Sequence, residues 1–166
     1  MSFWRNNYHL VWATKNREPL IQPEFESQLF GYIVNKAAEL GVYTHAIGGC
    51  SDHIHLIISV PPKYAVAQVV KTLKGASSFY VNHVLRPANL YFTWQHGYGC
   101  LTIGEKQRPD AQTYVLNQKQ HHGEKTTNHW LERDQEPALP GLTDDDALLV
   151  REEVATYQVE LADFPF

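Results

Sequence analysis

A chain of 166 residues, 43% hydrophobic and 12% aromatic, is long enough for one packed domain with an appendage and too apolar to be disordered throughout. Its net charge of −4 argues against a nucleic-acid partner only until it is resolved along the chain: residues 1–123 carry 11 Lys+Arg against 7 Asp+Glu, and residues 124–166 carry 3 against 11. A mildly basic body therefore precedes a strongly acidic tail, and no apolar run reaches membrane-spanning length or forms a signal core at the N-terminus.

In chain order, Asn7–Lys15 (NYHLVWATK) alternates and is rich in aromatics, which predicts a strand. Pro23 to Gly41 predicts a helix in which Phe25, Leu29, Ile33 and Leu40 fall near one face and Gly41 supplies the stop. VYTHAIGG (42–49) and HIHLIISV (53–60) predict two further strands, the second closed by Pro61-Pro62. A long helix is expected from Tyr64 to Leu85, burying Val66, Val69, Val70, Leu73 and Val84. LYFTWQ (90–95) and YGCLTIG (98–104) are strand candidates, and a helix is expected from Pro109 and Asp110 to His122, since proline and an acid suit a first turn. This order predicts an α+β fold with a ferredoxin-like, RRM-like split βαβ antiparallel sheet and helices on one face.

Beyond it, residues 1–123 are expected to form one domain and 124–166 an appendage. Gly123 to Pro140 reads as a linker. A C-terminal helix comes next, with Thr143 as N-cap and a stripe of Ala147, Val150, Val154, Tyr157 and Leu161. Cys50 and Cys100 have no zinc-like spacing and are expected as free thiols in a reducing, cytoplasmic compartment.

The third strand has one feature that packing does not require. Its period of two sends Ile54, Leu56, Ile58 and Val60 to one face and His53, His55, Ile57 and Ser59 to the other. Two neighbouring imidazoles can grip one metal ion, or they can be a hydrogen-bonded pair on a sheet. Downstream, Tyr114 and Gln118 are four apart and share a helix face. A phenol can act as a nucleophile and an amide oxygen can ligate a metal, although an ordinary surface pair has the same spacing.

Taken together, DHIHLII and YVLNQ, with YHLVWATKNR, LKGASS and WQHGY in the same order, resemble the single-tyrosine HUH transposases of insertion sequences and their REP-associated relatives. The resemblance spans Asn7 to His122. It implies that His53, His55 and Gln118 bind one divalent cation, Mg²⁺ or Mn²⁺, and that Tyr114 is the nucleophile. It further implies cutting and rejoining of single-stranded DNA through a 5′-phosphotyrosine, recognition of imperfect-palindrome hairpins, and a homodimer acting on the nucleoid of a bacterial cytoplasm.

Other residues have more open roles. Lys15, Arg17, Lys71 and Lys74 can contact phosphates or be solvated charges, and Ser77 and Ser78 can add hydroxyl contacts or keep a helix face polar. Trp94 and Tyr98 can stack on a base or belong to the core. Asp52 can orient His53 or close a turn; His9 reads as structural, and His121 and His122 as helix-end or supporting groups. An RRM-like binding module shares the layout but should carry an aromatic RNP strand where this chain has histidines. A domesticated hairpin-binding relative that mobilises nothing fits the same residues. A metal-dependent hydrolase leaves Tyr114 without a role. For the tail, an apolar stripe favours a structural part over competition with DNA for a basic groove.

Overall fold

The computed structural model describes residues 3–129 and 131–134. The stripe from Ala147 to Leu161 lies outside the described residues, as does most of the proposed appendage.

Four antiparallel strands form one sheet in the order β2-β3-β1-β4, with β1 at Asn7–Ala13, β2 at Tyr43–Gly49, β3 at His53–Ser59 and β4 at Gly99–Ile103. β1 and β3 are its centre, in a register that opposes Leu10 to Leu56 and Val11 to His55. Helix α1 (Pro23–Glu39) buries Phe25, Leu29, Ile33 and Ala37, a four-residue spacing that keeps one stripe on the sheet. Helix α2 (Val66–Tyr80) adds Val69, Val70 and Leu73. Both pack with Leu10, Trp12, Ile54, Leu56 and Ile58 into the main core. Each such fully buried aliphatic side chain contributes about 1.5–3 kcal/mol. The split βαβ layout, with α1 and α2 on one face, is as the sequence predicts.

Three details differ from the sequence expectations. The long second helix does not stay α-helical: Val81–Leu85 is a π-turn, closed by the Arg86 N–H on the Val81 carbonyl at 2.8 Å. Its extra residue rotates the end of the helix, so Val81 takes the buried place and Val84 is 60% exposed.

LYFTWQ is not a strand. The Phe92 N–H and carbonyl both bond the side chain of Asn82, at 2.8 and 2.7 Å, and Trp94 contributes only a single bridge to Thr14. Its apolar side chains, Phe92 and Trp94, instead close one end of the core.

The helix expected from Pro109 to His122 is broken at Asn117 (φ −100°, ψ 19°) into α3 (Arg108–Leu116) and α4 (Gln118–Glu124). These two helices lie against the opposite face of the sheet from α1 and α2.

Candidate active site

The second face of β3 carries the histidines, and α3 is fastened over it by a small apolar contact. Ala111 and Val115, four apart, meet Ala46 and Ile57 there. Gly48 makes the approach possible, because a Cβ at that position would stand 2.1 Å from the Val115 carbonyl oxygen. With α3 docked, both faces of β3 are covered. His53 and His55 have no exposed surface, and Gln118, first residue of α4, is 1% exposed.

The two imidazoles are held from behind. His53 Nδ1 lies 2.7 Å from Asp52 Oδ1, and His55 Nδ1 lies 2.9 Å from Nε2 of His9. A carboxylate only accepts, so His53 carries its proton on Nδ1 in the neutral form. Burial lowers the His9 pKa to about 3, and the nearby His55 adds to the effect, so His9 is a neutral ring able to accept from His55. Both partners therefore hold the Nδ1 side of each ring and turn Nε2 inward, the arrangement that orients imidazoles toward metals.

His53 Nε2, His55 Nε2 and both amide atoms of Gln118 are buried without a hydrogen-bond partner among the described residues. Leaving one buried polar group unpaired costs about 1–3 kcal/mol. Two imidazole nitrogens on neighbouring rings, with a buried amide oxygen on the helix after Tyr114, are the donor types of a cation site and fit the group that the resemblance implies.

Tyr114 reaches the same place from α3, its ring 6.2 Å from that of His55. Its hydroxyl donates to Glu132 Oε1 and accepts the Asn128 N–H at 2.9 Å, while its ring stacks on His121 at 4.7 Å. Burial raises the phenol pKa, and the hydrogen bond to Glu132 raises it further.

Glu132 is a site residue that sequence reasoning misses; it falls inside the stretch that reads as linker. Its Oε2 is 3.3 Å from His53 Nε2, 3.3 Å from His55 Nε2 and 3.4 Å from His122 Nε2. Burial opposes the charge on His53, but the bond to Asp52 and the Glu132 carboxylate beside Nε2 outweigh it and push its pKa up to about 9, so an entering cation takes the place of the Nε2 proton. For His55 burial wins and the pKa falls. Glu132 itself is pulled toward the neutral form by burial, yet the two imidazoles outweigh this and hold its carboxyl well below the usual range. His53, His55 and Glu132 form one group able to hold an ion, and Cys50, His53 and His122 another. The Cys50 thiol is pushed up to about 11, first by burial and then by Asp52.

The structure therefore brings Tyr114 to the rings of His53 and His55, with Gln118 buried at the start of α4. Of the residues considered for DNA contact, Lys71, Lys74, Ser78, Trp94 and Tyr98 line a cleft of about 460 Å³ beside α2, while Lys15 and Arg17 lie in a 3₁₀ turn after β1. Two need correction. Ser77 is fully buried and accepts the Trp94 indole N–H at 2.9 Å, and Trp94 is only 8% exposed, edge-on to Trp12 and Phe92. The indole is thus core and the serine its hydrogen-bond partner. Lys74 spends its ammonium on the carbonyls of Gln95 and Gly97, at 2.5 and 2.7 Å, which pins that loop. Arg17 pairs with Asp52 at 3.4 Å and Asp134 at 3.2 Å.

Comparison with known proteins agrees with this geometry. The family described as "Transposase IS200 like" matches residues 2–118. The ISDra2 transposase of Deinococcus radiodurans is 31% identical over 115 residues, covering 67% of this chain and 82% of its own. The transposase for insertion sequence element IS200 of Salmonella typhimurium is 30% identical over 120 residues, covering 69% and 78% respectively. A crystal structure from Deinococcus radiodurans R1, described as a candidate transposase, superposes with a TM-score of 0.55 at 30% identity over 70% of this chain and 93% of that one. A REP-associated tyrosine transposase bound to a REP hairpin superposes with a TM-score of 0.53 at 15% identity over 78% and 76%, a likeness of fold alone. Among the described residues no helix is long and apolar enough to cross a membrane.

Proposed function

The chain belongs to the IS200-like transposase family, and we propose that it cuts and rejoins single-stranded DNA with Tyr114 as the attacking group. The observation that carries this reading is the meeting of Tyr114 with two buried imidazoles, His53 and His55, whose Nε2 atoms have no hydrogen-bond partner among the described residues, with the unpaired amide of Gln118 buried at the start of the next helix. His53, His55 and Gln118 would hold a divalent cation, Mg²⁺ or Mn²⁺. When bound, the ion supplies Lewis-acid polarisation of a phosphate oxygen.

Asp52 and His9 act one layer out, as positioning residues that keep the two Nε2 atoms turned inward. Tyr114, whose phenol is held toward its protonated form in the resting site, gives up its proton to solvent as its oxygen bonds to phosphorus. The bond from phosphorus to the 3′ oxygen breaks, and that oxygen leaves as a hydroxyl after taking up a proton. The 5′ phosphate stays on Tyr114 until a 3′ hydroxyl attacks it and reseals a strand. Bond energy is kept in the phosphotyrosine, so no nucleotide cofactor is needed.

The substrate in this proposal is single-stranded DNA bearing an imperfect-palindrome hairpin, and the acting form is a homodimer. The hairpin-bound neighbour is consistent with the first, although its likeness is in fold. A basic cleft beside α2, with Lys71 exposed at its edge, offers phosphate contacts.

The test is direct. Full-length protein, hairpin-bearing single strand and Mn²⁺ should give a protein–DNA adduct that survives denaturing electrophoresis. Tyr114→Phe removes one oxygen and should bind the DNA without forming the adduct. An adduct at full yield from the Phe variant would place the nucleophile elsewhere.

A further inference from the structure

Glu132 lies beyond residue 118, where the match to the family ends, and nothing in the proposed chemistry calls for it. Yet it occupies the centre of the site. Its two oxygens divide the work that a scissile phosphate must do. Oε2 sits among the imidazole Nε2 atoms, at 3.3 Å from His53, 3.3 Å from His55 and 3.4 Å from His122. Oε1 takes the hydrogen bond of the Tyr114 hydroxyl.

The three spacings are informative. Hydrogen bonds between a charged imidazole and a carboxylate close to about 2.7–2.9 Å, and these are all longer by a similar amount. Adjacent ligand atoms at about 2.0–2.1 Å from one octahedral ion stand about 2.8–3.0 Å from each other. Oε2 lies only a little beyond that spacing, near enough for one ion to draw the atoms together.

The segment is also built to sit there. Backbone N–H groups of Leu131 and Glu132 bond the Asn128 carbonyl at 2.9 and 3.1 Å, and the Asn128 N–H bonds the Tyr114 hydroxyl. Asp134 is tied to Arg17 at 3.2 Å. On β4, Gly99 leaves room for the strap: a Cβ there would stand 1.8 Å from the Arg133 carbonyl oxygen. Electrostatics points the same way. Two neutral imidazoles and an amide leave a bound dication with its full charge, and a carboxylate halves it.

We propose that Glu132 is a resident ligand of the cation site: without DNA its carboxylate completes the coordination begun by His53 and His55, and it stands where a phosphate oxygen of the substrate must enter. DNA then gains the site by ligand exchange, one anionic oxygen replacing another, and Tyr114 is released from Glu132 in the same event. The inference rests on the reading of His53 and His55 as cation ligands.

The experiment uses the full chain and measures Mn²⁺ affinity without DNA, by calorimetry or electron paramagnetic resonance, together with affinity for a hairpin-bearing single strand in Mn²⁺. Glu132→Gln keeps the shape and removes the charge. It should weaken Mn²⁺ binding by about tenfold or more while tightening DNA binding by about tenfold. Asp134→Asn, which loosens the strap and leaves the carboxylate in place, should shift both in the same directions by less. Unchanged Mn²⁺ affinity in Glu132→Gln overturns the ligand assignment, and unchanged or weaker DNA binding overturns the exchange. Loss of cleavage with DNA binding intact would make Glu132 a required group in the reaction instead. His53→Ala separates the two levels. If it keeps wild-type Mn²⁺ affinity, the cation site itself is wrong, whereas loss in His53→Ala with no change in Glu132→Gln refutes only the role of Glu132.

Discussion

The two faces of β3 are made by alternate residues of one seven-residue strand, and they are built to opposite standards. On one face Ile54, Leu56 and Ile58 are buried among helix side chains and bring no polar atoms to the core. On the other, His53 and His55 are buried just as deeply and keep two nitrogens without a hydrogen-bond partner. Burial alone therefore does not separate core from site. What separates them is how many polar atoms are left over: among the described residues the main core leaves the single Trp12 Nε1, whereas this strand face leaves both imidazole Nε2 atoms beside each other. The apolar face contributes the free energy that lets the polar face remain incomplete.

Substitutions on the two faces should break different properties. The largest effect belongs to the histidines. His53→Ala or His55→Ala should lower DNA cleavage by about a hundredfold or more, consistent with the ~10²-fold and larger losses caused by removing a group that acts on transition-state charge. Each also loses an Nδ1 hydrogen bond, to Asp52 or to His9, so cleavage is compared at a temperature where circular dichroism shows the variant folded. A folded His53→Ala variant that cleaves at the wild-type rate in EDTA refutes the metal reading. Gln118→Ala should do milder damage, since water can replace one amide oxygen.

Leu56→Ala reverses the pattern. It should cost about 2–5 kcal/mol of stability by opening a cavity between the sheet and its helices. Molecules that remain folded should bind Mn²⁺ as before, which denaturant titration and metal titration of the same sample can establish. Equal stability with lost metal binding would mean that the two faces are not separable.

The residues behind the imidazoles should give the smallest effects. Asp52→Asn and His9→Leu each leave a ligand in place but remove what holds the Nδ1 side of its ring. A loss of about 10–100-fold in Mn²⁺ affinity is expected from such outer partners. A His9→Leu protein with unaltered affinity would show that His55 is oriented by packing alone.

The sequence made the face assignment of β3 legible, because a period of two needs no tertiary information. It also exposed Tyr114 and Gln118 through their resemblance to family motifs. The role of His9 was within reach: it lies on the same sheet face as the histidines of β3, opposite Ile57 and two residues along the register from the Val11–His55 pair. Seeing it required knowing which strands pair. The break at Asn117 was not legible, since four-residue spacing reads the same through an interrupted helix. LYFTWQ misled because its apolar pattern is real, whereas its backbone bonds are divided between the Asn82 side chain and a short bridge at the end of β1, too few to make a strand. Glu132 was hidden for a different reason. It sits in a stretch without periodicity, so no rule of spacing could say which of the tail's 11 acids turns inward. The sum of the charges was visible there, but the position of one of them was not.

The central claim is that Tyr114, facing the histidines across the second face of the sheet, becomes covalently joined to DNA. Isolating the adduct, digesting it and weighing the peptides tests this most directly. The account predicts that the peptide carrying Tyr114 gains the mass of a nucleotide linked through its 5′ phosphate, and that the released strand ends in a 3′ hydroxyl. Modification of any other residue, or a released strand ending in a 3′ phosphate, would contradict it.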